Sequence, residues 1–91
     1  MKTVLLVRNK DEGEHYAREA GLQPYARTTI IVTPLMAASI DGLKFDEGDL
    51  VCEFPGFREH PRSHQVINRL TASMRKSNNA GPVWKAIDGK S

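Results

Sequence analysis

The sequence predicts an α/β fold: a small three-layer, Rossmann-like domain in which three parallel strands, the first central, alternate with three helices. Three observations lead there. Apolar, β-branched runs recur at Thr3–Val7, Thr28–Val32 and Asp49–Phe54, and unbroken apolar runs mark strands covered on both faces, as in a parallel sheet. Each run is followed within a few residues by a helix-start signal. Strand and helix therefore alternate, which calls for parallel strands joined by right-handed crossovers. At 91 residues the chain holds one domain, 1–91. Surface scaling gives a chain of this size roughly 64% burial of its unfolded surface, enough for one modest core.

The first unit opens on Thr3-Val4-Leu5-Leu6-Val7. Asn9 then offers an N-cap, with Glu12 three residues on as the reciprocal partner of a capping box. The helix runs from about Lys10 to Ala20 and stops at Gly21, a natural C′ residue. Gly13, Tyr16, Ala17 and Ala20 form its inward stripe, and small residues there let the helix lie close to the sheet. In the second unit Thr33 can cap and Pro34 suits the first helical position, predicting a short helix from Leu35 to about Ile40. The third strand ends in a Pro55-Gly56 turn, and His60-Pro61 repeats the cap-then-proline signal. The helix that follows, to about Ser77, has Ser63, Val66, Ile67, Leu70 and Met74 as its core face. Asn78 to Pro82 break it, and residues 78–91 read as a C-terminal extension or, over Val83–Ile87, a short fourth strand at one edge.

Composition excludes several classes. A 40% hydrophobic content is too apolar for disorder. Cys52 is the only cysteine, so no intramolecular disulfide can form and a reducing compartment is expected. The longest apolar run near the N-terminus, Val4–Val7, is too short for a signal segment or a membrane span, which predicts a cytoplasmic protein with no membrane partner. The formal charge of +2 implies no polyanion by itself. It conceals opposite blocks, however: acids dominate Asp41 to Glu53, and bases dominate Arg58 to Lys76. Arg62, Arg69 and Lys76 lie seven apart and drift only about 20° per step, making one basic stripe on the last helix. Such a stripe suits an acidic protein surface or nucleic acid, and an ordinary solvated face accounts for it equally well. The two blocks could also meet across a two-fold axis in a homo-oligomer.

Ligands of open α/β sheets bind at the carboxyl ends of the strands. That rim would carry Arg8, Asn9, Lys10, Thr33 and Glu53, a candidate site for a nucleotide or small ligand. The first turn, Arg8-Asn9-Lys10-Asp11-Glu12-Gly13, matches no glycine-rich phosphate loop, so no nucleotide cofactor is expected. His60 and His64 stand four apart without a third ligand, and Pro61 occupies the place of a zincin glutamate, so no metal is expected either. Cys52 lies inside a strand and no nucleophile sits beside a base, which predicts a protein that is not an enzyme. Glu53 is expected to pair with Arg8 or Arg58. In Phe54-Pro55-Gly56-Phe57-Arg58 two phenylalanines flank a turn, and at least one is expected at the surface beside Arg58, the composition of a protein-contact hot spot. The alternative is that both tuck under the long helix.

Two resemblances follow from these residues. Ile40-Asp41-Gly42-Leu43-Lys44-Phe45-Asp46, with Leu50-Val51-Cys52-Glu53, resembles the acidic strand and its approach in helicase-like and terminase-like NTPases. The phosphate loop of those proteins has no counterpart, so Glu53 inherits no magnesium role. More closely, the whole chain resembles small uncharacterised proteins of tailed phages of actinobacteria, through Val4 to Arg8, Glu14 to Leu22, Gly42-Leu43 and Pro55 to Glu59. This resemblance implies a phage accessory protein that works in the host cytoplasm by binding a host protein, some such proteins being toxic to the host. On that reading Phe54, Phe57, Arg58, Arg62, Arg69 and Lys76 make the partner contact.

Overall fold

A computed structural model describes residues 2–23, 26–36, 40, 45, 48–76 and 83–87. Four strands, β1 (Thr3–Leu6), β2 (Thr29–Val32), β3 (Leu50–Glu53) and β4 (Val83–Ala86), pair in the order β2-β1-β3-β4, all parallel. The first strand is therefore flanked by the second and third, and the fourth lies at an edge. In register, Thr3 stands opposite both Thr29 and Leu50, and Leu50 opposite Val83. Central placement explains the composition of β1: Val4, Leu5, Leu6 and Val7 are all 0% exposed. By contrast β4 leaves Val83, Lys85 and Ala86 exposed, as befits a strand with one open edge.

Alternation of side chains along the strands splits the core in two. Val4, Leu6, Val32 and Val51 pack with Phe57 and with Val66 and Leu70 of α2 (Ser63–Lys76). Leu5, Val7, Ile31 and Cys52 pack on the other side with Phe54 and with Ala17 of α1 (Lys10–Glu19). Ser63, Val66 and Leu70 of the expected α2 core face are buried, and Ile67 and Met74 pack against that cluster. Close approach of α1 depends on Gly13, where a Cβ would lie 2.7 Å from Ile31 Cγ2. Ala20, expected on the inward stripe, instead caps the helix and is exposed.

At the amino end of the sheet, Asp49 ties β1 to β3. Its carboxylate, 1% exposed, accepts the Lys2 backbone N–H at 2.7 Å and lies 3.3 Å from Lys2 Nζ. Cys52 is free and buried, and burial pushes its thiol above the ordinary value, against a partial offset from Lys85 and the Tyr16 hydroxyl.

Local signals are realised with three changes. The Asn9 side chain accepts the Glu12 N–H at 2.9 Å, but Glu12 returns its own bond to the N–H of Arg8 at 3.2 Å rather than to Asn9. The capping box is thus displaced by one residue on its return side. After Pro34 the described residues form a turn, with Met36 N–H donating to Thr33 O, and not the helix expected to begin at Leu35; residues 37–39 of that expected helix lie outside the described set. Two α-helices are present among the described residues, against three expected. Finally, α2 begins at Ser63, after a 3₁₀ turn over Phe57–Glu59, because His60 Nδ1 accepts the Arg62 N–H and Ser63 Oγ donates to the carbonyls of Arg58 and His60. Those bonds hold Pro61 and Arg62 in a turn ahead of the helix.

Candidate functional site at the carboxyl ends of β1 and β3

The turn after β3 is where the structure departs most from expectation. Phe54 is 7% exposed and Phe57 is 0% exposed. Neither is a surface aromatic. The reason is geometric: the turn at Pro55-Gly56, with Gly56 at φ +83°, reverses the chain so that each phenylalanine enters a different half of the core. Phe54 meets Tyr16 of α1 edge to face, with ring centroids 4.9 Å apart and planes at 86°. A hot spot built on exposed Phe54 and Phe57 is therefore ruled out by their burial.

Arg58 is exposed but engaged. Its Nε donates to Glu53 Oε2 at 2.6 Å and its Nη2 to Glu53 Oε1 at 3.0 Å, which raises the guanidinium above its ordinary value. Trp84 Nε1 donates to the same Oε1 at 3.0 Å. Glu53 thus clamps the turn after β3 to the edge strand β4, and of its two candidate partners it takes Arg58 rather than Arg8. We expect Glu53→Ala to lower stability by about 1–2 kcal/mol, because two donors lose their acceptor. Arg58→Ala should cost under about 1 kcal/mol, since a guanidinium this exposed contributes little. Emission from Trp84, the only tryptophan, followed through a urea titration reads both. Equal losses would show that the indole bond contributes nothing.

Among the described residues two clefts open at the rim, and Arg8 lines both. The smaller, about 350 Å³, brings together Arg8, Asn9, Lys10 and Thr33 with Pro34 and His60. Four of the five residues expected in a ligand site therefore do meet; Glu53 lines neither cleft. Thr33 is itself buried at 9% exposure, and the Asn9 side chain is committed to capping α1. The larger cleft, about 600 Å³, lies between α1 and the turn after β3, and of the five residues expected in a ligand site only Arg8 lines it. Its floor is Tyr16, Phe54, Pro55 and Ile87, and its rim carries Arg8, Glu12, His15, Glu19 and Glu59. The spacing of Glu12, His15, Tyr16 and Glu19 places all four on one face of α1. That face is the signal by which the cleft could have been found.

Arg8 is held between the clefts by Glu12, whose Oε2 accepts from Nη2 at 3.2 Å, while Oε1 takes the Arg8 backbone N–H. Gly56 gives its aliphatic stem room: a Cβ there would stand 2.9 Å from Arg8 Cδ. Arg62 and Arg69 are exposed, but Arg62 lies in the turn ahead of α2 and only Arg69 on the helix, so the stripe expected on one helix loses its first member; the Lys76 side chain lies outside the described residues. His60 caps a turn and His64 is exposed; among the described residues no group of three histidine, cysteine or carboxylate side chains could hold a metal ion. No described helix is long and apolar enough to cross a membrane. Compared with known proteins, the chain matches no family model, no curated protein and no solved structure, so its function has to be argued from the site itself.

Proposed function

We propose that this protein binds a small organic ligand in the larger cleft, without turnover. One observation carries the reading: the cleft coincides with the point where strand order reverses. From β1 the chain passes to β2 on one side, and from β3 to β4 on the other, so β1 and β3 end at the topological switch point, the usual ligand crevice of open α/β sheets. Arg8 follows β1, Phe54-Pro55-Gly56 follow β3, and all four line the cleft. The proposal takes the domain as a three-layer, Rossmann-like unit, a reading supported by core clusters on both sheet faces, one with α1 and one with α2.

Titration of the ¹⁵N-labelled protein with a panel of nucleotides and indole compounds tests it. At least one compound is expected to shift the amides of Arg8, Tyr16, Gly56 and Ile87 together. Absence of any such shift at millimolar concentration would overturn the reading.

A second reading follows the resemblance to phage accessory proteins: α2 binds an acidic host protein in the host cytoplasm. Its support is the exposure of Arg62, in the turn ahead of α2, and of Arg69, on the helix itself. Recovery of an acidic partner from host lysate should then be lost in an Arg62→Glu/Arg69→Glu variant. Binding to duplex DNA that falls steeply with salt would instead assign the face to nucleic acid.

A further inference from the structure

We infer that the ligand of the larger cleft is an organic cation, an ammonium or amidinium group on an aromatic or aliphatic body, and not a phosphate. This rests on the reading of the cleft as a ligand site and narrows what occupies it.

The rim that looked basic in sequence is electrostatically inverted in three dimensions. Among the described residues Arg8 is the only Lys or Arg lining the cleft, and Glu12 engages it through both carboxylate oxygens. Lys10, the other base of that turn, lines the smaller cleft. Arg58 is taken by Glu53, which does not line the cleft. Lys85 pairs in register with Cys52 on β3 and does not line it either. Among the described residues three carboxylates, Glu12, Glu19 and Glu59, face one guanidinium across the opening, so the acids outnumber the one base.

They sit on opposite walls. Glu19 comes from the end of α1, where His15 Nε2 lies 3.2 Å from it, and Glu59 from the 3₁₀ turn. Among the described residues Glu59 has no ion-pair partner. Between the walls the floor is apolar and aromatic: Phe54, with its ring edge to face against Tyr16, flanked by Pro55 and Ile87. An apolar body would rest on this floor and displace water from it, while its charged end met the carboxylates at the opening. A phosphate would face carboxylates there, with its one available cation already neutralised.

Three ligands with one indole body and different charge test this: tryptamine, tryptophol and indole-3-acetate. The expected order of affinity at low ionic strength is tryptamine, tryptophol, indole-3-acetate, with about a tenfold gap between the first and last. Added salt should narrow that gap, and so should Glu19→Gln/Glu59→Gln. Both carboxylates are on exposed residues, and a thermal melt of the double variant checks that it folds. Indole-3-acetate or tryptophol binding as tightly as tryptamine, or a gap unchanged in the double variant, would overturn the cationic class while leaving the cleft a ligand site. So would ATP shifting the cleft amides when tryptamine does not. Failure of every compound, nucleotides included, would overturn both.

Discussion

Phe57→Ala is expected to lower the free energy of unfolding by about 3–5 kcal/mol, the range for truncating a buried phenylalanine. Phe57 is 0% exposed and packs with Val66 and Leu70 of α2, Ile40 and Phe45, so its ring links the helix to the segment before β3. Little else could refill the space. The neighbours belong to a sheet and a helix, and neither can collapse inward without breaking strand register or lifting α2. Domains of this kind are stable by only about 5–15 kcal/mol, so the variant should lose a large share of its stability. Urea unfolding at fixed protein concentration measures it. A loss within about 0.5 kcal/mol, typical of a surface position, would show that Phe57 is the exposed contact residue its sequence context suggested.

Gly13→Val is expected to cost about 2–3 kcal/mol through overpacking. Glycine is a poor helix former, so on propensity alone any aliphatic replacement inside α1 should help slightly. Packing opposes this. A Cβ at position 13 would stand 2.7 Å from Ile31 Cγ2 and 3.3 Å from Val7 Cγ2, and both neighbours, one on β2 and one just after β1, are β-branched with little rotamer freedom. Valine would add two methyl groups to a position where even the first carbon does not fit, so α1 must rise from the sheet. Gly13→Ala should be milder, because its helix-propensity gain of about 1 kcal/mol offsets part of the clash. In a double-mutant cycle the cost of Gly13→Ala should shrink in an Ile31→Ala background. Strict additivity would mean that Ile31 is not the obstacle.

The two positions mark what the linear chain could and could not convey. Gly13 was legible because a helix has a fixed period: its place on a stripe with Ala17 already implied a face that must lie close to something. The strands were legible for the same reason, since β-branched runs such as Thr29-Ile30-Ile31-Val32 have few other uses. Phe57 was not legible. It sits in a 3₁₀ turn after a left-handed glycine, where no periodicity tells which way a side chain points. The same gap moved the start of α2 from the expected His60-Pro61 signal to Ser63, where hydroxyl and imidazole bonds to the backbone decide the boundary.

Charge behaved in a similar way. Arg8 and Lys10 are two residues apart and read as one basic rim, but only Arg8 reaches the larger cleft, and there Glu12 closes on it. Glu59 and Glu19 are 40 positions apart in the chain and become opposite walls of one opening.

By itself the sequence determined the α/β class, the parallel strands with the first between the second and third, the cap of α1 and the core face of α2. All of these follow from local propensity and from periods of two and 3.6 residues. Only the tertiary structure decided which aromatics are buried, which cations are already neutralised, and where a cavity remains. Those depend on distances between residues far apart in the chain, and such distances exist only after the helices have packed on the sheet.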